Sequence, residues 1–294
     1  MTAAAQFKSN AAQHIDSHTV LFGVIGDPIR HSKSPIMMNR AFRETGVNGV
    51  YTAFHITTDK LGDFVAGVRA MGVRGVNVTI PHKLDIMKHL DVIDESASAI
   101  GAVNTIVNDN GVLTGYNTDG IGYVRSLKEE AEPVLAGKRI VVLGAGGAAR
   151  GIIYALTKEA PASITIANRT EQRAVELAAS MSDRAHVVGV SNERLQQVCE
   201  DADIVINTTS TGMYPNVNES PVNAAWLQPG AVASDIIYNP MKTKFLIEAE
   251  QAGCRIHGGL GMFIYQGAYA FEYWTGKPAP AAAMREVVLE ALQQ

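Results

Sequence analysis

The chain has 294 residues, 47% of them hydrophobic and 18% charged, with 25 Lys+Arg against 29 Asp+Glu and a net charge of −4. At about 100 to 200 residues per domain this is most simply two globular domains, and the composition excludes a disordered, collagenous or disulfide-stapled chain. No global positive field gathers nucleic acid or an anionic membrane, so an anionic ligand has to be held locally.

In chain order, residues 1–19 are polar and Ala-rich without the apolar core of a signal peptide, and are expected to be a flexible leader. His14 and His18 there have i,i+4 spacing but no further ligands, so no metal site is expected. Short apolar runs then alternate with helical periods: a strand over 21–26, a helix over 35–45, a strand over 50–56, a helix over 61–71 and a strand over 75–80. Residues 106–117 read as a hairpin, because Asn110-Gly111 between apolar runs supplies the positive φ angles of a tight turn. A helix over 120–130 follows, and Glu132-Pro133 and Gly137 break the pattern. It restarts with strands over 139–146, 163–169, 186–190, 204–208 and 231–237, interleaved with helices over 149–158, 171–181 and 243–252. Two helices close the chain, over 261–274 and 281–293, with no strand between them. This is the pattern of an α/β protein with parallel sheets. No run approaches the roughly 20 apolar residues of a spanning helix, and a cytoplasmic protein is expected. Cys199 and Cys254 belong to no CxxC pair and are expected to be reduced, buried thiols.

The strongest local signal is GAGGAAR, Gly144 to Arg150, after an apolar strand and opening a helix. In its GxGxxA spacing Gly144 serves the tight turn, Gly146 lets backbone approach a pyrophosphate and Ala149 packs the helix closely, with the helix N-terminus facing the phosphates. A Rossmann-type dinucleotide-binding domain is therefore expected over 120–257. The substrate domain is expected to be discontinuous, 20–119 plus 258–294, with the last helices returning to it. An NAD site usually carries Asp or Glu at the end of the second strand, whereas here the chain reads Asn168-Arg169-Thr170 with Arg173 beyond. Two guanidiniums facing one 2′-phosphate favour NADP. The alternative is that Arg173 is a solvated residue paired with Glu171 or Glu176, and Glu171 could itself meet a 2′-hydroxyl.

Polar residues also gather where strands of the first domain end. Ser34-Pro35 in HSKSP reads as a helix start, its hydroxyl either capping the helix or, with free N–H groups, holding a small carboxylate. Lys83 in NVTIPHK and Asp119 in YNTDG could be solvated surface charges. Together they could form a Lys/Asp pair that moves a proton in a zinc-free dehydrogenase.

The ordered set GVIGDPIRHSKSP, GVNVTIPHK, GAVNT, GYNTDG, VLGAGGAAR, NRT and GLGMFIYQG resembles the shikimate dehydrogenase family, over nearly the full chain. The resemblance implies reversible reduction of 3-dehydroshikimate to shikimate with NADPH, in aromatic amino acid biosynthesis. It implies that Ser32 and Ser34 hold the substrate carboxylate, that Thr79, Asn104, Asp119 and Gln266 hold ring hydroxyls, and that Lys83 is the acid/base residue working with Asp119. Tyr238 would approach the substrate, and Ile236, Gly259 and Met262 would line the nicotinamide, with Thr209 and Ser210 near the cofactor. Gly144, Ala145, Gly146, Gly147 and Ala148 would hold the pyrophosphate, and Asn168, Arg169, Thr170 and Arg173 the adenosine phosphate. Met38 stands near a position where many relatives carry His. Two other readings stand beside this one: a quinate/shikimate dehydrogenase using NAD or NADP, and a non-catalytic NADP-binding sensor. The sensor predicts loss of Lys83 or Asp119, and both are present. A monomer and a homodimer are both compatible with the sequence.

Overall fold

The computed structural model describes residues 15–293, so His14 and residues 1–14 of the expected leader lie outside them. The last leader residues are tied down: Asn48 donates to Asp16 Oδ1 at 2.9 Å and Thr19 Oγ1 donates to Asn48 Oδ1 at 2.9 Å.

The first half of the chain runs β1 (Val20–Gly26), α1 (Ser34–Thr45), β2 (Gly49–His55), α2 (Leu61–Met71), β3 (Gly75–Val78), β4 (Val92–Ile93), α3 (Glu95–Ile100), β5 (Thr105–Asp109), β6 (Val112–Tyr116) and α4 (Asp119–Glu130). Its sheet has the order β2-β1-β3-β5-β6-β4. The sheet is mixed: β5 and β6 form the expected antiparallel hairpin, and β5 also runs antiparallel to β3, where the alternating pattern reads as parallel. The hairpin turn is as the sequence implies, with Asn110 at φ 53° and Gly111 at φ 91°. Period-2 alternation sorts the faces: Phe22 and Val24 of β1 pack with α1, while Ile25, Val76 and Val78 pack under α2.

The second half runs β7 (Arg139–Leu143), α5 (Gly147–Thr157), β8 (Ser163–Ala167), α6 (Glu171–Ala179), β9 (Val187–Val190), α7 (Leu195–Glu200), β10 (Ile204–Asn207), β11 (Val232–Asp235), α8 (Lys244–Gln251), β12 (Arg255–His257), α9 (Leu260–Thr275) and α10 (Ala281–Leu292). Its sheet, β12-β11-β10-β7-β8-β9, is parallel throughout and has the doubly wound order of dinucleotide-binding folds, with the switch point between β7 and β10. Ile140, Val142, Ile204 and Ile206 face the core under α4, α5 and α6, and Val141, Leu143 and Val205 the core under α7 and α8. β4, α3, α7 and β12 lie outside the sequence expectation, being two to six residues long. Such lengths are too short to show a period.

α9 and α10 pack on the first sheet. Trp274 donates Nε1–H to Ile106 O at 2.9 Å and stacks 5.4 Å from Phe22. A Cβ on Gly75 would lie 2.3 Å from that indole nitrogen, so the strand can sit under Trp274 only as glycine. The two sheets are joined through α4, which packs on both α5 and α9. The α4–α5 crossing depends on Gly120 and Gly151: a Cβ on Gly120 would lie 2.0 Å from Gly151 O, and one on Gly151 would lie 2.9 Å from Asn117 Oδ1. The first contact requires backbone movement, and the second displaces the Asn117 side chain that holds Asp119 N–H. Gly120→Ala is therefore expected to destabilise the protein by about 1–3 kcal/mol in urea unfolding; an unchanged midpoint would show that the crossing has slack.

Candidate active site

Lys83 and Asp119 meet. Lys83 Nζ lies 2.5 Å from Asp119 Oδ2, with side chains 13% and 5% exposed, so neither is the solvated surface charge the sequence left open. Lys83 follows the turn after β3, and its carbonyl accepts from Val103 N–H at 2.8 Å. Asp119 opens α4, and its N–H is held by Asn117 Oδ1 at 3.1 Å. Its second carboxylate oxygen accepts from Asn104 Nδ2 at 2.8 Å. Asn104 Oδ1 accepts in turn from Thr118 N–H at 2.8 Å and Thr105 Oγ1 at 3.0 Å. Both oxygens of Asp119 are thus engaged, and the lysine is aimed by a fixed carboxylate.

The network continues inward. Asn77 Nδ2 donates to Thr105 Oγ1 at 3.2 Å, and Tyr51 OH donates to Asn77 Oδ1 at 2.8 Å. Burial holds the Tyr51 phenol well above its usual pKa, with Ser34 hydrogen-bonding it in partial opposition. Ser34 is buried, and its N–H meets Ser32 Oγ at 3.2 Å. Of the two roles open to Ser34, the structure does not show the cap: the helix begins at Ser34 itself with Lys33 at the cap position, and no side chain caps it. Its hydroxyl therefore remains with Tyr51, on the same polar chain as Asp119. Asn77, Tyr51, Thr105, Asn117 and Thr118 were not anticipated from sequence. The available signal was Asn77 amid the apolar residues of β3, since a buried amide must find partners.

Thr79 follows β3, its N–H bonded to Ile25 O at 3.0 Å, and its methyl fills the space a Cβ on Gly26 would take, at 2.7 Å. Tyr238 stacks on Phe263 at 4.4 Å between ring centres, and burial raises its pKa against an opposing backbone contact at Lys33. It therefore links the second sheet to the start of α1. Gln266 donates its amide to Phe263 O at 2.8 Å, and among the described residues no hydrogen bond joins it to the Lys83–Asp119 pair.

The glycine loop stands next to Lys83. A Cβ on Gly147 would lie 3.5 Å from Lys83 Cδ, which puts the start of α5 against the lysine stem. Gly144 has φ +108°, a conformation that favours glycine, and its Cβ position is 2.7 Å from Thr208 Oγ1 and 3.1 Å from Thr209 Cγ2. Gly146 caps α5 without a side-chain bond and has open space where a Cβ would be, with Ala145, Gly147 and Ala148 partly buried around it. Uncapped N–H groups beside empty space suit a pyrophosphate. Asn168, Arg169, Thr170 and Arg173 lie together where β8 leads into α6, and Asn168 Nδ2 donates to Thr170 O at 2.8 Å. Arg169 and Arg173 are exposed, and among the described residues neither forms an ion pair. Glu176 receives Gln172 at 2.9 Å instead of Arg173. Two unpaired guanidiniums beyond the second strand fit a 2′-phosphate. Ile236, Gly259 and Met262 also converge: a Cβ on Gly259 would be 2.1 Å from Ile236 O, and Ile236 packs on the core that contains Met262.

Behind the site, α4 is fastened to the second sheet through His257. Its Nε2 lies 2.7 Å from Ser126 Oγ and its Nδ1 2.8 Å from Ser234 Oγ, which also meets Tyr123 OH at 2.7 Å. Burial, with Arg285 opposing a second positive charge, lowers the imidazole pKa to about 4. Both thiols are buried; desolvation pushes Cys199 up to about 12 and also raises Cys254. Among the described residues there is no group of three His, Cys, Asp or Glu able to hold a metal, and no helix is long and apolar enough to cross a membrane.

Family models match three stretches: the shikimate dehydrogenase substrate binding domain over 24–106, shikimate / quinate 5-dehydrogenase over 126–231, and the shikimate 5'-dehydrogenase C-terminal domain over 259–289. A shikimate dehydrogenase (NADP(+)) of Geobacillus kaustophilus is 48% identical over 274 residues, 93% of this chain and 99% of that protein. One from Moorella thermoacetica is 47% identical over 282 residues, 95% of each chain. Among solved structures, a shikimate dehydrogenase in complex with NADP+ superposes with TM-score 0.89 at 42% identity, covering 96% of this chain and 99% of that one. Shikimate 5-dehydrogenase from Listeria monocytogenes, in complex with shikimate and NAD, gives TM-score 0.86 at 40% identity over 93% of this chain and 98% of that one.

His257 has a consequence for acid stability. Its folded pKa lies below the unfolded value of 6.5, so its contribution is present above 6.5 and is lost as pH falls toward about 4. Relative to wild type, His257→Gln should gain stability over that interval by on the order of 2 kcal/mol in urea titrations. A stability difference that stays flat with pH would contradict a buried neutral imidazole.

Proposed function

The chain belongs to the shikimate dehydrogenase family, and on that premise we propose the roles of its residues in the NADP-dependent, reversible reduction of 3-dehydroshikimate to shikimate that it catalyses. The observation that carries the assignment is the buried Lys83–Asp119 pair standing against the opening of α5.

NADPH, when bound, supplies the hydride that the substrate's C3 carbon receives. Gly144, Ala145, Gly146, Gly147 and Ala148 would hold its pyrophosphate, Asn168, Arg169, Thr170 and Arg173 its adenosine phosphate end, and Ile236, Gly259 and Met262 its nicotinamide. As C3 is reduced, the Lys83 ammonium gives a proton to the developing alkoxide; in the oxidative direction the neutral amine takes it back. Asp119 keeps the ammonium in place at 2.5 Å and compensates its charge in a site with little solvent. Ser32 and Ser34 would receive the substrate carboxylate, and Thr79, Asn104, Asp119, Tyr238 and Gln266 the rest of the ring. Because Gln266 is turned to its own helix, its role requires a rotamer change on substrate binding. The two domains divide as 20–119 with 258–294 and 120–257, so that substrate and cofactor meet between separate bodies that can close on them. The cytoplasm is the proposed compartment, supported by two unpaired, buried cysteines.

Lys83→Ala is expected to lower kcat by roughly a hundredfold or more, as loss of a general acid does, while NADPH binding by fluorescence changes little. A variant turning over at wild-type rate would remove Lys83 from the mechanism. Arg169→Ala should raise the KM for NADPH by roughly tenfold, in line with loss of a charge-assisted phosphate contact, and leave NADH use nearly unaltered; equal losses with both would contradict a 2′-phosphate site. The same absorbance assay, crossing shikimate and quinate with NADP and NAD, is expected to show shikimate with NADP as the preferred combination.

A further inference from the structure

Asp235 closes β11 and is completely buried, yet the chemistry described above does not use it. Three groups converge on its carboxylate, and all three are donors. Ile237 N–H reaches Oδ1 at 3.0 Å, while Asn207 Nδ2 and Thr243 Oγ1 reach Oδ2 at 3.1 and 2.8 Å. The amide of Asn207 is committed on its other side as well: Oδ1 accepts from Thr209 N–H at 3.0 Å and Thr209 Oγ1 at 2.7 Å, and Nδ2 also donates to Thr211 O at 3.1 Å. Thr209 Oγ1 in turn accepts from Thr211 N–H at 3.2 Å.

This chain of bonds has only one orientation. Were Asn207 flipped, its Oδ1 and Nδ2 would exchange places and its bonds to Thr209, Thr211 and Asp235 would all fail together. Asp235 selects the orientation because an ionised carboxylate is acceptor-only. A protonated acid could keep all three neighbours only by reversing the Thr243 hydroxyl so that Oγ1 accepts, and an Asn at this position would turn an amide hydrogen toward Ile237 N–H or Asn207 Nδ2. The loop so held is part of the dinucleotide crevice, since Thr208 and Thr209 pack against Gly144 at the switch point between β7 and β10. The other end of the bond set, Ile237, lies between Ile236 and Tyr238.

We propose that Asp235 is a positioning residue for cofactor binding: its ionised carboxylate fixes the Asn207 amide and thereby Thr209 against the glycine loop, beside Thr208, which Leu143 O holds. The inference rests on the reading above that the dinucleotide lies along Gly144 to Ala148.

The coupling makes cofactor affinity sensitive to acid through a group that touches neither ligand. Burial raises the pKa of Asp235 to about 6, against the opposing effect of its three donors. Among the described residues no charged side chain bonds it. Asn207 of β10 and Thr243 ahead of α8 are uncharged, and the Tyr123 phenol of α4 and the His257 imidazole of β12, which meet at Ser234, are neutral near pH 7 because burial holds Tyr123 up and His257 at about 4. Because the folded pKa lies above the unfolded 3.8, the stability tied to Asp235 is present below 3.8 and lost as pH rises through about 6. At neutral pH the ionised carboxylate therefore detracts from folding while it orders the crevice.

The test compares NADPH dissociation constants, by nucleotide fluorescence, for wild type and Asp235→Asn across about pH 5 to 8, alongside thermal unfolding. The 2′-phosphate also titrates near pH 6, but its effect cancels in the ratio of the two proteins. The variant is expected to bind NADPH roughly tenfold more weakly at about pH 8, to converge on wild type at about pH 5, and to keep its Tm at the higher pH. A ratio constant with pH, whatever its size, would overturn the proposal. Thr243→Val keeps the carboxylate but removes one donor, so the acid midpoint of its NADPH affinity should move upward; a stationary midpoint would also overturn it. Wild type that bound no NADPH would overturn the cofactor reading itself, an outcome visible before any variant is made.

Discussion

The close crossing of α4 over α5 at Gly120 and Gly151 is the constraint from which the site follows. α4 carries Asp119 at its first position, and α5 carries the glycine loop at its start. Because the two helices touch backbone to backbone near those ends, the carboxylate at the start of α4 and the glycine turn after β7 fall within one side chain of each other. Lys83 fills that interval, its tip on Asp119 and its stem beside Gly147. A side chain at Gly120 would meet the Gly151 carbonyl and push the helices apart, carrying Asp119 away from the start of α5.

Around this crossing, the carboxylates and hydroxyls of the site are oriented by amides. Asn104 and Asn117 fix Asp119, Asn77 joins Tyr51 to Thr105, and Asn207 joins Asp235 to the crevice wall. Amides suit this work because each offers both donors and acceptors and so transmits orientation from one partner to the next. Asp235 and His257 are the two buried titratable groups behind the crevice, and they respond to acid with opposite sign: burial favours the protonated acid in one and the neutral base in the other.

Much of this was legible in the chain. The doubly wound second half, the hairpin about Asn110-Gly111, and the turn and close-packing roles of Gly144 and Ala149 follow from period-2 apolar runs and residues that permit positive φ, which are local properties. The pairing of Lys83 with Asp119 was visible only as two charges at strand ends, 36 residues apart. Short elements such as β4 and β12 left no period to detect, and β5 runs antiparallel to β3 where the alternating pattern reads as parallel.

The sequence by itself thus determined the fold class and the glycine turn that opens α5, because each is encoded in neighbouring residues. The tertiary structure decided which polar residues act together. It placed Ser34 with Tyr51 and not at a helix cap, left Arg169 and Arg173 without acidic partners among the described residues, bonded Gln266 to its own helix, and set Asp235 among three donors. The physical reason is that hydrogen-bond partners are chosen by proximity after packing, whereas a backbone turn or an apolar face is specified by the residues that form it.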